Sequence, residues 1–353
     1  RNTVETVAVK RLLVGAHVSS AFAGVNGGSA EQMGLALTTV EFGLALFKPT
    51  VVADTRSWTS LKATAASVSV VGVDGLTVSS SNLTVVVNKA GGVGNSTVAD
   101  LSGSPLLIET SLGGDTIRLD MDGDRGALLE ASGLVQLDVF GFFRATGSFA
   151  FVRSSGSLVV NNGTTSETVA VQQVIVGATV SSAFAGINGG TAGAIGLQLS
   201  DVGLALALFK PSSLTDTRSW TSLKATVGSA SFVGVDDLTI AVTNLAVAVN
   251  QAGGVGNSTV ADYKNTPLTV ATGPTTGSVV LDFDGSRGAL LQASGAVSIN
   301  AYGFFSAAGT FTFEKSSGSL TVSNGTTPET VAVNRLLIGG TVSTAFAGVN
   351  GGS

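Results

Sequence analysis

The 353-residue sequence contains no cysteine, one histidine, two tryptophans and two tyrosines, and only 12% of its residues are charged. The absence of cysteine excludes a disulfide framework and thiolate metal sites. The scarcity of histidine removes the commonest general base and metal ligand. A formal net charge of −5, from 18 basic and 23 acidic residues, argues against a nucleic-acid partner, which requires clustered Lys and Arg.

A mean hydropathy of +0.45 raises the question of membrane segments. Residues 174–200 carry no charge, but Ser, Thr, Asn and Gly interrupt this stretch too often for a spanning helix. Strands that cross a membrane are flanked by aromatic girdles at both interfaces, which two Trp and two Tyr cannot supply. From the sequence we therefore expect no membrane insertion.

Small and β-branched residues take the place of the missing charges. Apolar residues make up 44% of the chain, glycine contributes 47 residues, and Ser, Thr and Val are frequent. β-branched side chains suit a pleated surface, whereas the strong helix formers Lys, Glu, Gln and Met are few. This composition predicts an all-β fold.

The sequence repeats itself with a period of 162 residues. The segment Glu-Thr-Val-Ala-Val occurs at 5–9, 167–171 and 329–333, and Asp-Thr-Arg-Ser-Trp occurs at 54–58 and 216–220. No insertion or deletion separates the copies. The predicted units are the end of a preceding repeat (1–4), a first repeat (5–166), a second repeat (167–328) and the start of a third (329–353).

The constant repeat length and the lack of a linker near 154–167 favour one continuous structure over separate domains. In a stack of hydrogen-bonded coils, one extra residue would move every later side chain to the wrong face. Apolar residues alternate from 135 to 151, and their phase switches at Ser200-Asp201 and Thr243-Asn244, as at coil corners. We therefore predict a β-solenoid, triangular in cross-section. An antiparallel sandwich stays open as an alternative, although two-residue Asn-Gly turns are few.

One polar cluster occurs in both repeats and is the main candidate for a ligand or anchor site. A Trp face beside charged residues can stack on a sugar ring or a cation. The same residues can instead anchor a loop, with Arg and Asp paired and Trp closing an apolar end. The cluster comprises Asp54, Arg56 and Trp58 in the first repeat and Asp216, Arg218 and Trp220 in the second.

A second candidate is an Asp-x-Asp-Gly turn that resembles the start of a calcium-binding loop. Asp120 and Asp122 form it in the first repeat, and Asp282 and Asp284 in the second. No carboxylate follows at the twelfth position, so an Asp122–Arg125 pair is the simpler interpretation. His17 becomes threonine in the other copies, and we expect no catalytic residue, metal or cofactor.

Residues 119–129 and 141–151, rich in Gly, Phe and Leu, resemble repeats of very large bacterial adhesin-like proteins. The resemblance implies β-solenoid repeats and a location at the cell surface or in the secreted fraction. It supplies no catalytic residues.

These observations predict a non-enzymatic structural array, either a spacer or an adhesive stalk of a giant bacterial protein. The alternative function is a carbohydrate- or protein-binding module with one site per repeat. The expected partners are neighbouring repeats of the same chain, with surface glycans or proteins as further candidates.

Overall fold

The computed structural model describes residues 5–74, 76–274 and 277–349. It consists of β-strands and two short 3₁₀ turns, and these residues form no helix long and apolar enough to cross a membrane. The strands are β1 Val9–Val25, β2 Met33–Pro49, β3 Ser57–Val71, β4 Leu76–Gly91, β5 Leu106–Glu109, β6 Thr116–Leu119, β7 Leu128–Val139, β8 Phe143–Asn161, β9 Ser166–Ile187, β10 Ile195–Pro211, β11 Ser219–Val233, β12 Leu238–Gly253, β13 Val260–Ala261, β14 Leu268–Ala271, β15 Ser278–Leu281, β16 Leu290–Ala301, β17 Phe305–Ser323 and β18 Pro328–Ala347.

One 14-stranded antiparallel sheet contains all the long strands, in the order β1-β2-β3-β4-β7-β8-β9-β10-β11-β12-β16-β17-β18, with β13 paired beside β8. Each long strand pairs with the next long strand along the chain. The predicted all-β composition is confirmed, but the predicted β-solenoid with a triangular section is wrong. Solenoid coils stack in parallel along an axis, whereas these strands reverse direction at every turn and form a meander.

The alternation at residues 135–151 belongs to two strands joined by a tight turn. Phe140 and Gly141 both have positive φ, at 52° and 65°, and the Phe142 N–H donates to the Val139 carbonyl at 2.9 Å. Consecutive positive φ values are typical of the type I′ turn, which matches the twist of the flanking strands. The expected bend at Gly141 is therefore a complete chain reversal.

The phase switches predicted at Asp201 and Asn244 are confirmed as points of left-handed backbone, with φ of 53° and 51°. They lie inside β10 and β12, not at corners between coils. One residue in this conformation shifts the alternation of the strand by one position. Odd-numbered side chains before it and even-numbered side chains after it, or the reverse, therefore point to the same face of the sheet. The apolar side chains thereby stay on one face although their numbering changes from odd to even at Asp201 and from even to odd at Asn244.

The sheet consequently has one apolar face and one polar face. Residues that pair directly across two strands point to the same face of the sheet. A line of paired residues, which we call a row, can therefore be followed from strand to strand across the sheet. In β2 the left-handed residue is Thr39, and the apolar face carries Leu35 and Leu37 before it and Leu44 and Leu46 after it. On the opposite face, β7 and β8 pair without a shift at this level, so Gln136 and Thr146 point to the same side as Leu134 and Ser148. Both halves of that second face therefore lie on the same side.

Two inserts pack on the second face and form the cores. The hairpin β5–β6 lies over β1–β3, and β14–β15 lies over β9–β11. Small residues of the sheet, such as Gly43 and Ala45, let the hairpins approach closely; a Cβ at Gly43 would lie 2.3 Å from Ile117. The first core includes Ala45, Phe47, Trp58, Leu101, Ile108, Ile117, Leu119 and Met121, and the second includes Val160, Val171, Ala207, Phe209, Trp220, Val270 and Leu281.

The sheet runs through the repeat boundary without interruption. The 19 residues of β8 pair along their length with β9, and the short strand β13 pairs with the end of β8. A row followed strand by strand from Leu13 arrives at Gln173, which is equivalent to residue 11 and not to residue 13. The same row in the second repeat runs from Ile175 to Arg335. The strands are therefore staggered by two residues per repeat.

Candidate functional site

Arg56 is the centre of the first polar cluster. It lies in the loop between β2 and β3, and its guanidinium donates to both oxygens of Asp54, with Nη2–Oδ2 at 2.7 Å. The other side of the guanidinium donates to Glu5, with Nη1–Oε2 at 2.8 Å. Two carboxylates from chain segments about fifty residues apart in sequence thus share one planar donor.

Trp58 closes the space beneath this ion cluster. The Arg56 guanidinium lies 5.4 Å from the Trp58 ring centroid, and the indole N–H donates to the Thr97 hydroxyl at 3.1 Å. Only 7% of Trp58 is exposed. One ring face meets Arg56 and the body of the ring belongs to the insert core, so the side chain offers no free face for a sugar.

The second repeat builds the same arrangement from equivalent residues. Arg218 donates to Asp216 with Nη2–Oδ2 at 2.7 Å and also contacts the Glu167 carboxylate. Trp220 is 1% exposed, lies under the guanidinium at 5.2 Å, and donates to the Thr259 carbonyl at 3.0 Å. Because the same contacts occur in both repeats, the cluster is a structural element of the repeat.

The charged groups of the cluster stabilise one another in their ionised forms. Hydrogen bonds from Arg56 hold the pKa values of Glu5 and Asp54 below their usual range, and these carboxylates in turn raise the pKa of Arg56. Hydrogen bonds from Arg218 lower the pKa of Asp216 in the same way. With its donors already occupied by carboxylates, the Arg is poorly placed to bind an outside anion. The geometry is that of a latch joining the start of one strand to the turn before another.

The aspartates of the proposed calcium turn point to different partners. Asp120 contacts Lys62 at 3.4 Å and Arg118 at 3.3 Å. Asp122 instead accepts from the backbone N–H of Asp124 at 2.9 Å and so caps a 3₁₀ turn. These ligands do not converge on one point where a cation would be held.

The second copy of this turn behaves alike. Asp282 pairs with Lys224 at 3.0 Å, and Asp284 pairs with Lys264 at 2.9 Å while capping the equivalent turn. Hydrogen bonds from Ser286 and Lys264 lower the pKa of Asp284 to about 2. Among the residues that the structure describes, no group of three or more His, Cys, Asp or Glu side chains could hold a metal.

Two smaller expectations concern Arg125 and His17. Arg125 pairs with Glu130 at 2.8 Å, so the charge pair expected between Arg125 and Asp122 is wrong. His17 lies on β1 and contacts Glu41 on the neighbouring strand at 3.1 Å, as a partly exposed cross-strand pair.

A buried polar network under each insert was not singled out from the sequence. Asn250 is 1% exposed; it accepts from the Ser222 hydroxyl at 3.0 Å and donates to the Ala261 carbonyl at 2.8 Å. Tyr263 donates to Ser222 at 3.0 Å, and burial raises the pKa of its phenol. The first repeat places Asn88 in the same position. The sequence does carry one signal of this network: an asparagine inside an apolar strand recurs after 162 residues.

Comparison with known proteins identifies no family for the chain. No family model matches, and no curated protein matches. A solved structure described as outer-membrane expressed OmpT of Vibrio cholerae matches with 9% identity and a TM-score of 0.23, over 96% of this chain and 99% of that one. The resemblance to adhesin-like β-solenoid repeats is wrong, because the chain folds as an antiparallel meander.

Proposed function

We propose that the chain is a non-enzymatic structural array of the cell envelope, exposed at the surface or secreted, whose sheet lengthens with each repeat. The observation that carries the proposal is the uninterrupted pairing of β8 with β9 across the repeat boundary. A repeat adds six long strands, which corresponds to about 29 Å across the sheet at about 4.8 Å per strand.

Contacts between successive repeats support the proposal, because they involve more than the sheet. The Asp262 N–H, in the second insert, donates to the Val159 carbonyl at 2.8 Å, and Asn161 donates to the Asp262 carboxylate at 3.1 Å. Ser148 donates to the Thr272 carbonyl of the same insert at 2.8 Å. The second insert therefore ties its own repeat to the preceding one, which suits a spacer of fixed geometry.

The alternative role, a carbohydrate- or protein-binding module with one site per repeat, gains no support from the latch. Its tryptophans are buried and its arginines are already paired with carboxylates. Neighbouring repeats are accordingly the partners that we propose, and the array carries out no reaction of its own.

The test is to measure the dimensions of chains that contain two, three and four repeats. Small-angle X-ray scattering is expected to show one rigid body that widens by about 29 Å per repeat. Unfolding in urea should remain a single transition when the second repeat is added, because the junction is part of the sheet. Separate bodies joined by a hinge, or two independent unfolding transitions, would contradict the spacer role.

A further inference from the structure

The apolar face of the sheet is not covered by any part of the chain that the structure describes. Both inserts lie on the opposite face, and Leu35 and Leu197, in equivalent positions of the two repeats, are 44% and 45% exposed. The face extends over thirteen long strands and about fourteen residues along each, an area on the order of 2,500 Å². Soluble monomers rarely expose apolar patches above a few hundred Å².

Charge is distributed unevenly around this face. Apart from Asp201, which lies at the phase shift within β10, the Asp and Glu residues of the described sheet strands alternate onto the other face, where ion pairs such as Lys62–Asp120 and Arg144–Asp138 also lie. Six basic side chains lie on the apolar face at one border, where the strands meet the insert end. They are Lys10, Lys48, Lys89, Arg153, Lys210 and Lys315.

These six cations, which we call the basic row, are all exposed, and none has an ion-pair partner among the residues that the structure describes. Lys10 even pairs directly with Lys48 across β1 and β2. Like charges directly opposite each other destabilise a sheet, so anions from outside the chain would relieve this arrangement. Aromatic side chains lie at the opposite border, where Phe140 is 74% and Tyr302 is 67% exposed in the turns.

We propose that the apolar face lies against the acyl chains of a lipid membrane, with the basic row at anionic headgroups. The apolar part of β2, from Met33 to Leu46, is about 46 Å long when extended; tilted by about 45°, as membrane strands are, it spans about 32 Å, close to the thickness of a hydrocarbon core. Each Lys or Arg near an anionic surface adds about 1 kcal/mol of attraction.

A second copy of the chain fits this face less well. If two sheets packed face to face with the same orientation, one basic row would lie against the other. In the opposite orientation the six cations of each basic row would meet the turn border, where carboxylates are fewer and lie in only three of the turns, as Glu31, Asp74, Asp236 and Asp237. The charge pattern therefore favours headgroups. This inference departs from the expectation of no membrane insertion and goes beyond the spacer role, which depends on the repeat junction alone.

The strand edges are compatible with lipid contact where the sheet continues. An edge strand in hydrocarbon would leave backbone N–H and C=O groups unpaired, at a cost of several kcal/mol each. The first and last strands, β1 and β18, are equivalent to β9, and β9 is paired on both sides. Further strands of the same kind can therefore pair with both edges of this chain.

The absence of native cysteine allows a direct test by single-cysteine spin labelling. Leu197→Cys and Gln198→Cys place a nitroxide on adjacent exposed residues of β10 that lie on opposite faces. In vesicles, the label at 197 should be accessible to dissolved oxygen and shielded from a water-soluble nickel chelate. The label at 198 should show the reverse. Circular dichroism checks that both variants retain the fold.

The vesicle composition tests the role of the basic row. We expect the protein to float with vesicles of phosphatidylcholine mixed with phosphatidylglycerol more strongly than with phosphatidylcholine alone. The triple variant Lys10→Gln, Lys48→Gln and Lys210→Gln should bind the anionic vesicles at least about tenfold more weakly. The matched control replaces Lys62, Lys224 and Lys264 by Gln; it removes the same charge from outside the apolar face and should leave binding nearly unchanged.

Three results would overturn the proposal. The first is equal accessibility of both labels to the chelate in the presence of vesicles. The second is equal weakening by the two triple variants, which would show that net charge matters and the basic row does not. The third is a dimer in lipid-free sedimentation whose spin labels at position 197 broaden one another, because a second copy would then cover the face.

Discussion

Replacing the buried Asn250 by Asp tests whether the polar network under the second insert is as the structure shows it. The Asn250 amide donates to the Ala261 carbonyl at 2.8 Å, and its oxygen accepts from Ser222. The substitution Asn250→Asp keeps the shape but puts an oxygen where the donating nitrogen was. An ionised carboxylate would then face a carbonyl oxygen without a proton between them.

The expected effect depends on pH. Burial and the facing carbonyl both favour the protonated acid, which can still donate to Ala261, so the pKa of the introduced carboxyl should rise by about two units from its usual value near 4. A folded-state pKa above the unfolded value means that the destabilisation is absent below about pH 4 and grows as the pH rises through about 6. At about 1.4 kcal/mol per unit, the loss at pH 7 is about 3 kcal/mol.

Urea unfolding followed by circular dichroism at pH 4 and pH 7, each against the unsubstituted chain, measures this difference. The matched control is Asn300→Asp, because the equivalent residue of the first repeat is Asp138 and both accept from the N–H of a turn glycine. The control should change stability by less than about 0.5 kcal/mol at either pH. A loss for Asn250→Asp that is the same at both pH values would refute the hydrogen bond to Ala261 as its cause.

Four further measurements follow from the same geometry. Leu281→Ala, at a fully buried position of the second insert, should lower the free energy of unfolding by about 3 kcal/mol, whereas Val280→Ala beside it should cost under about 1 kcal/mol; equal losses would contradict the insert packing. Phe140→Gly should stabilise the chain by up to about 1 kcal/mol, since φ is positive there; a destabilisation would mean that the ring has contacts the structure lacks. In an NMR titration, Arg218→Gln should return the lowered pKa of Asp216 towards its usual value. In the unsubstituted chain the ion pair between Arg218 and Asp216 should weaken as the pH falls through that lowered pKa. An unchanged pKa of Asp216 in the variant would exclude the latch. A chelator should leave the melting temperature unchanged, and a fall of several degrees would show that the Asp-x-Asp-Gly turns bind calcium.

The strand content and the points of phase shift could be predicted from the sequence because they depend on local patterns. Asp201 and Asn244 interrupt an apolar alternation, and both tolerate left-handed backbone, as the structure confirms. Strand pairing could not be predicted in this way. Alternation with a period of two is the same in a solenoid coil and in a hairpin, and the turns that distinguish them include Phe140-Gly141, which lacks the usual Asn-Gly signature.

The candidate site was likewise predictable from the sequence only where its residues are close together in the chain. Asp54, Arg56 and Trp58 are close in sequence, so an anchor formed by them was open to prediction. The contact of Arg56 with Glu5 and the position of Asn88 under the insert depend on strands brought together by the meander. The apolar face was visible as alternation, but its exposure could not be known before the inserts were placed on the other side.

The stagger of two residues per repeat determines on which side of the sheet every insert lies. Because two is an even number, equivalent residues of successive repeats keep the same orientation relative to the sheet. A stagger of one or three would turn each repeat over relative to the last, so that inserts would project from alternate sides and interrupt the apolar face every 162 residues. The register at the junction of β8 and β9 is thus the feature that gives an array of any length two chemically different sides.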